Sequence, residues 1–482
     1  MKPTRERLTR ATLAALPEEI GRPAYDPAAI GAGVLHFGPG AFHRAHQGDY
    51  IDRLLEQDAR WAIIEASLRS GQVTDRLIEQ DGLYTLAVLD REPAMRVIGA
   101  VAGCIGPGQE DTLAARLADP AIRLVTSTVT EKGYCLGGDA TLDFAHPDIV
   151  QDLGFAGPPR SLIGWIVAGL AARRAAGTAP FAVLPCDNMP DNGARVRAAV
   201  LALAGRRDAG LRDWIAGEVR FASSMVDSIT PASDAALLDR VGDATGLDDR
   251  AAVQREAFAQ WVVEDVLPAD GPDLASVGVA VTGDVAGYER AKLRILNGAH
   301  SALAYVGLLR GHETVGDAMA DAALARFVEA MVRRDVVPGL DAPAGFDLDD
   351  YVDAVFARFR NPAIRHLLSQ IAWDGSQKLP YRLLDSVQAA RKAGRPVDRL
   401  LVPVAAWMRF LSDAAAAGRP VTDPLADRLR EAATAGDPVA ALLGIDPVFP
   451  AVLAGDPMVR GVLQRAFATL ADGAGIDALL SE

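Results

Sequence analysis

Residues 33–37 (GVLHF) read as a short β-strand that breaks into Gly38-Pro39-Gly40, and from 42 to 55 apolar and polar residues recur at helical spacing. Strand, glycine turn and helix in that order restrict the fold sharply. A second apolar run, 61–66, follows after about 25 residues, the length that a parallel βαβ crossover needs. Residues 83–89 and 95–101 read as a pair of exposed strands and 123–128 (RLVTST) as a core strand. Further strands are predicted over 181–185 (FAVLP) and 219–226 (VRFASSMV), with helices over 162–176 and 194–203. Such alternation predicts a mostly parallel, doubly wound α/β sheet of Rossmann type. After 277–282 (VGVAVT) the strand signal stops. From Ala286 the sequence is rich in Ala and Leu, cut by breakers around Pro338, Pro362, Pro420 and Pro438. The expected organisation is an α/β Rossmann-type amino-terminal domain over 1–284 and a mostly α-helical carboxyl-terminal domain over 285–482.

The 482 residues carry 49 Lys+Arg against 63 Asp+Glu, a net charge of −14. That balance argues against nucleic acid or an anionic membrane surface as the main partner. No apolar run approaches the roughly 20 residues that cross a bilayer, and the first thirty residues hold charges throughout, without the apolar core of a secretory signal. Cys104, Cys135 and Cys186 lie far apart, with neither a disulfide framework nor a metal-ligand spacing. A reducing, cytoplasmic compartment is expected. Gly311-His312-Glu313 mimics a zinc-dehydrogenase fragment, but no cysteine cluster accompanies it, and no metal is expected.

Gly38 and Gly40 sit where backbone can approach a pyrophosphate at a helix amino terminus, although the position three residues after Gly40 is His43 rather than glycine. Glu65, at the end of the next strand, is placed to bind ribose hydroxyls and to repel a 2′-phosphate, favouring NAD over NADP; the alternative is an ordinary solvated carboxylate. Arg69 nearby complicates that preference, so NADP stays open. His43 and His46 share one helix face, either as a metal pair with Asp49 or, the favoured reading, as a packed and hydrogen-bonded helix start. Arg44, beside the glycine turn, is the better candidate for a ligand contact.

Residues 288–300 (YERAKLRILNGAH) read as one helix. At ~100° and ~1.5 Å per residue, Glu289, Asn297 and His300 all fall within about 140° of Lys292, and Lys292 and Asn297 lie roughly 7.5 Å apart along the axis. Leu293 and Leu296 share that arc, so the face is mixed and semi-buried, as a pocket wall would be. A lysine desolvated in such a wall can serve as a general base near neutral pH; the alternative is a surface Lys–Glu pair. Asn188 and Asp227 each follow a predicted strand, at the carboxyl end where open α/β sheets bind ligands, and an amide there can hydrogen-bond a carbonyl or alkoxide oxygen. Asn and Asp are also common in plain turns.

Eight motifs in order carry a family resemblance: GPGAFHRAHQ (38–47), QDGLYTL (80–86), TVTEKGY (128–134), CDN (186–188), MVDSITP (225–231), VVED (262–265), KLRILNGAHS (292–301) and DGSQKLP (374–380). The chain resembles the polyol-specific long-chain dehydrogenase/reductase family, which includes mannitol 2-dehydrogenase and fructuronate reductase (mannonate oxidoreductase). The resemblance implies a metal-independent oxidoreductase with its active site between a Rossmann-type and a helical domain. It makes Lys292 the general base, Asn188 and Asn297 the pair on the reacting oxygen, and His300 and Lys378 substrate contacts. Asp227 matches a residue where nicotinamide and substrate meet, and Glu131 and Glu289 match acids near the proton path. Gly38, Gly40, Phe42, Arg44, Glu65 and Thr130 fall to the cofactor, NAD. Many members carry an arginine where this chain has Gln370, which leaves the contacts of that loop open. The run SLRS (67–70) before QDGLYTL favours the fructuronate-reductase side, hence D-fructuronate/D-mannonate, with mannitol 2-dehydrogenase chemistry on D-fructose as the alternative. A uronate needs a pocket cation, for which Lys378 leads, with Arg365 or Arg382 in support. A monomer or weak homodimer is implied. A phosphosugar decarboxylating dehydrogenase would want a basic cluster that the sequence does not display, and a non-catalytic NAD(H)-binding sensor is the remaining class.

Overall fold

The computed structural model describes residues 5–481 apart from 91, 139, 155, 156 and 472. The chain divides into two compact units, Met1–Ala286 and Gly287–Glu482. In the first, five parallel strands lie in the order β5-β2-β1-β6-β7: β1 (Ala32–Phe37), β2 (Ala62–Ala66), β5 (Val101–Ile105), β6 (Leu124–Ser127) and β7 (Ala182–Pro185). Their order reverses at β1, the topological switch of a Rossmann-type sheet. Val34, Leu35 and Phe37 of β1 are all buried, because helices cover both faces and the usual alternation is lost. β1 runs through the glycine turn into α1 (Ala41–Ala45), and the chain bends at His46 before α2 (Gln47–Leu55). The helix expected over 42–55 is thus two pieces. On the other side, α3 (Leu162–Ala176) starts where the Ser161 hydroxyl accepts from the Gly164 N–H and stops at Gly177 in the left-handed region.

Two three-stranded sheets and a two-stranded parallel pair, Glu6–Arg7 with Leu247–Asp248, complete this unit among the described residues. β3 (Tyr84–Leu89) and β4 (Ala94–Ile98) form the expected antiparallel pair. They are not an exposed pair, however: Tyr84 to Ala87 are buried, since a further strand, β9 (Val253–Glu256), lies parallel along β3. β10 (Gln260–Glu264) lies between β8 (Ser224–Asp227) and β11 (Ala280–Thr282). The strand predicted over 219–226 is therefore shorter, although Phe221 still bridges Val183 at the edge of the main sheet.

Among the described residues the second unit contains no β-strand. Two helical rods matter most. The first is α4 (Val285–Ala291) continued by a π-turn, Lys292–Asn297, and then α5 (Gly298–Leu309). The expectation of one uniform α-helix is corrected here: the Gly298 N–H bonds to the Leu293 carbonyl five residues back. The second rod is α6 (Gly375–Leu379), a π-turn at Pro380–Leu384, and α7 (Asp385–Lys392). Pro380 lacks an N–H and its ring crowds the preceding turn, which favours the widening. The two π-turns pack on each other. A Cβ on Gly298 would sit 2.8 Å from the Arg382 carbonyl, so the approach requires glycine at 298. No helix among the described residues is long and apolar enough to cross a membrane.

Because the atom facing Gly298 is backbone, Gly298→Ala cannot be absorbed by a rotamer change. The expected cost is about 1–3 kcal/mol, read as a lower denaturant midpoint at unchanged slope. A midpoint equal to that of the wild type would contradict the tight approach.

Candidate functional site

In the first unit the glycine turn is shaped by sterics and pinned from behind. Gly38 has φ +98°, and a Cβ there would strike the Thr128 carbonyl. The Gly38 carbonyl accepts from the Thr128 hydroxyl at 2.8 Å and lies 3.1 Å from His36 Nε2, while His36 Nδ1 meets Thr126 Oγ1 at 2.7 Å. Gly40 is exposed, with nothing within 3.8 Å of where a Cβ would stand, and half-buried Phe42 stacks on His46. Beyond the carboxyl ends of β2 and β5 a cleft of about 460 Å³ opens, its walls including Ser67, Arg69, Gly106, Asp148 and Arg160. Bare backbone at a strand's carboxyl end beside such a cleft fits a dinucleotide.

Two of the expected cofactor residues do something else. Glu65 is fully buried within β2 and bonds His43 Nε2 at 2.9 Å, so it does not reach a ribose, and the charge argument for NAD over NADP that it carried falls away. Burial pushes its carboxyl up to about 7 and the His43 ring down to about 3. Arg44 is likewise buried: Nε donates to the Pro39 carbonyl and Nη1 to that of Ala251, while the guanidinium lies over the Tyr84 ring. Its position on α1 turns it inward, where it ties the turn to the strand hairpin rather than touching a ligand. His46 bonds the Gln260 carbonyl at 3.0 Å and packs against Trp261, so the two histidines brace the helix start separately. His36, His43 and Glu65 cluster tightly, and both nitrogens of His36 already have partners.

Asn188 is exposed three residues beyond β7, and Asp227 is the buried last residue of β8, so both occupy carboxyl ends of strands. Asp187, which the sequence reading passed over, organises this end. Its carboxylate accepts from the Val129 N–H (3.0 Å), the Thr130 N–H (2.8 Å) and the Tyr134 hydroxyl (2.5 Å). It thereby holds Thr130, at φ +66°, and exposed Glu131 in their loop beside Asn188. The signal available was its place directly after a predicted core strand. Asn192 adds bonds to the Asp187 carbonyl and both backbone groups of Ser224.

In the second unit Lys292, Asn297 and His300 are all buried polar residues, 6–9% exposed. The five-residue spacing of a π-turn makes Lys292 and Asn297 neighbours, instead of leaving them most of a half-turn apart as on a uniform helix. Glu289, half-buried, lies one turn earlier on the same rod. The His300 ring packs against Phe359 and His366, and its buried Nε2 has no hydrogen-bond partner. Burial, then the nearby His366, Arg358 and Arg382, hold it well below the usual imidazole range, so it is neutral at physiological pH. Lys378 is half-buried and its Nζ donates to the Trp373 carbonyl at 2.6 Å. Burial lowers its pKa. Gln370 is exposed, and Arg365 is an exposed partner of Glu313. His312 bonds Asp321, away from any thiol.

Family models described as Mannitol dehydrogenase Rossmann domain and Mannitol dehydrogenase C-terminal domain match residues 32–276 and 284–470. Over 467 residues the chain is 38% identical to D-mannonate oxidoreductase of Escherichia coli (strain K12), covering 94% of this chain and 96% of the relative. The structure of Pseudomonas fluorescens mannitol 2-dehydrogenase in a ternary complex with NAD and D-mannitol is 35% identical, with a TM-score of 0.85 and coverage of 98% and 99%. D-sorbitol dehydrogenase in substrate-free form is 31% identical, with a TM-score of 0.90 and coverage of 98% and 100%.

The Glu65 carboxyl yields a signed prediction. Its folded-state pKa of about 7 exceeds its ordinary 4.5, so its contribution to stability is complete below pH 4.5 and is lost as pH rises through 7. Glu65→Gln keeps the neutral form throughout. Relative to the wild type, the variant should gain stability from pH 4.5 to pH 7, by an amount on the order of 3 kcal/mol, and then level off. Parallel unfolding profiles for the two proteins would contradict this.

Proposed function

The chain belongs to the mannitol dehydrogenase family, and from that premise we propose that it interconverts D-fructuronate and D-mannonate with NAD(H), using Lys292 as general acid and base. The observation that carries this reading is the row of buried polar groups on the first rod, Lys292, Asn297 and His300, beside a substrate loop containing Lys378. The likeness to a D-mannonate oxidoreductase along nearly the whole chain supports a sugar acid as substrate. The likeness to a mannitol 2-dehydrogenase that holds NAD supports this cofactor, and Arg69, at the cleft where a 2′-phosphate would lie, is met by Asp148 at 3.1 Å.

When bound, the nicotinamide supplies or accepts a hydride at its C4. The chain's own groups manage oxygen and proton. In reduction, the amides of Asn188 and Asn297 donate hydrogen bonds to the ketone oxygen and stabilise the charge that develops on it. The Lys292 ammonium then delivers the proton to that oxygen; in oxidation its neutral amine removes it. Glu131 and Glu289 pass protons between Lys292 and solvent. Neutral His300 orients a substrate hydroxyl through Nε2, and Asp227 positions substrate beside the nicotinamide. The mannitol 2-dehydrogenase reaction on D-fructose is the second reading, favoured by the D-mannitol bound in the similar structure.

Initial rates with D-fructuronate, D-tagaturonate and D-fructose, each with NADH and NADPH and with EDTA present, test the assignment. The expected result is highest kcat/KM for D-fructuronate with NADH. A preference for fructose moves the chain to the mannitol reading, and no turnover on any supports a binding sensor. Lys292→Ala should lose at least a thousandfold in kcat while still binding NADH. Activity within about tenfold of the wild type would remove Lys292 from the acid–base role.

A further inference from the structure

Arg382 is a half-buried cation with a buried Nε, and no anion pairs with it among the described residues. It lies in the second π-turn, where that turn meets the first at Gly298. Its Nη1 makes one long contact, 3.4 Å to the Ser301 hydroxyl, and its buried Nε has no partner. Among the described residues it forms no ion pair, whereas the other cations of this region are occupied. Arg365 bonds Glu313, Lys378 donates to the Trp373 carbonyl, and Arg294 faces Asp385 and the Gly339 carbonyl. Asp423 is held by the Ser376 N–H and hydroxyl. A guanidinium offers five donors in a rigid fork, and leaving them buried and unmet is costly. Desolvation accordingly lowers its pKa from the ordinary value.

The placement matches one particular ligand. Ser301, which Arg382 touches, stands four residues beyond Asn297, about 6 Å further along the rod. That span is comparable with the distance from a ketone to the far carboxylate of a six-carbon sugar acid. A carboxylate is flat and takes two parallel hydrogen bonds from one edge of an arginine.

Resting on the function proposed above, we propose that Arg382, rather than Lys378, receives the carboxylate of the sugar acid and sets the preference for acids over neutral ketoses. Ser301 orients the guanidinium from its other edge. Lys378, tied to the Trp373 carbonyl, braces the loop that carries it.

The test compares wild type, Arg382→Lys and Arg382→Leu as purified full-length enzymes. The ratio of kcat/KM for D-fructuronate to that for D-fructose should fall at least a hundredfold in Arg382→Leu, chiefly through KM, and recover in part in Arg382→Lys. An equal loss on both substrates, or an unchanged ratio, overturns the proposal. Binding gives a readout independent of turnover: D-mannonate and D-mannitol are titrated against the NAD-loaded proteins by calorimetry. Wild type should bind D-mannonate tightly and Arg382→Leu at least a hundredfold more weakly, with NADH affinity retained as the check on folding. If wild type binds D-mannonate through Arg382 but reduces no ketose, the catalytic reading fails and this one stands. If Arg382→Leu binds D-mannonate as wild type does, or wild type prefers D-fructose 6-phosphate to both acids, this one fails.

Discussion

Two helical rods touch where Gly298 meets the carbonyl of Arg382, and the arrangement of polar groups in the second unit depends on that contact. Each rod widens into a π-turn at the meeting point, and the widening brings residues five apart onto one face. Lys292 and Asn297 become neighbours by this route, and the same close approach sets Arg382 beside Ser301, one residue past His300. On a uniform helix Lys292 and Asn297 would stand about 140° apart. An extra methyl group at 298 would separate the rods. The backbone irregularity is therefore what brings a lysine, an amide, an imidazole and a guanidinium to neighbouring positions.

The first unit solves a different problem, holding bare backbone in place at the ends of strands. The Gly38 carbonyl is pinned by His36 and Thr128, both reached from strands β1 and β6, and the loop carrying Thr130 and Glu131 hangs from the Asp187 carboxylate. Each loop faces outward because a buried polar side chain grips it from inside. His43, Glu65 and Arg44 belong to that buried scaffold. Their polarity serves the turn's geometry, which explains why a motif so rich in histidine and arginine lies mostly in the interior.

The architecture was legible because its signals are local: strand, glycine turn, helix, then alternation, then a helical second half. What escaped the sequence depends on tertiary burial. β9 reads VQRE and is buried at every position, since Arg255 finds Asp49 and Glu256 finds the Ile229 N–H, so no apolar alternation marks it. Glu65 and Arg44 were placed correctly along the chain and misjudged in direction, because which face of a strand or helix is enclosed is decided by elements far away in sequence. Lys292, Asn297 and His300 stand out in the sequence by spacing and resemblance, yet the π-turn between Lys292 and Asn297 leaves no mark in the residue pattern. Asp187 was hidden by its neighbour Asn188, whose chemistry is more conspicuous.

Chemical rescue of Lys292→Ala by small primary amines addresses the role of Lys292 most directly. With NADH and D-fructuronate saturating, kcat should rise with amine concentration, and the rescued rate should depend on the amine's pKa, since the added ammonium would deliver the proton that the proposed mechanism assigns to Lys292. Intact NADH binding with no rescue by any amine small enough to fill the space would contradict the role assigned to Lys292.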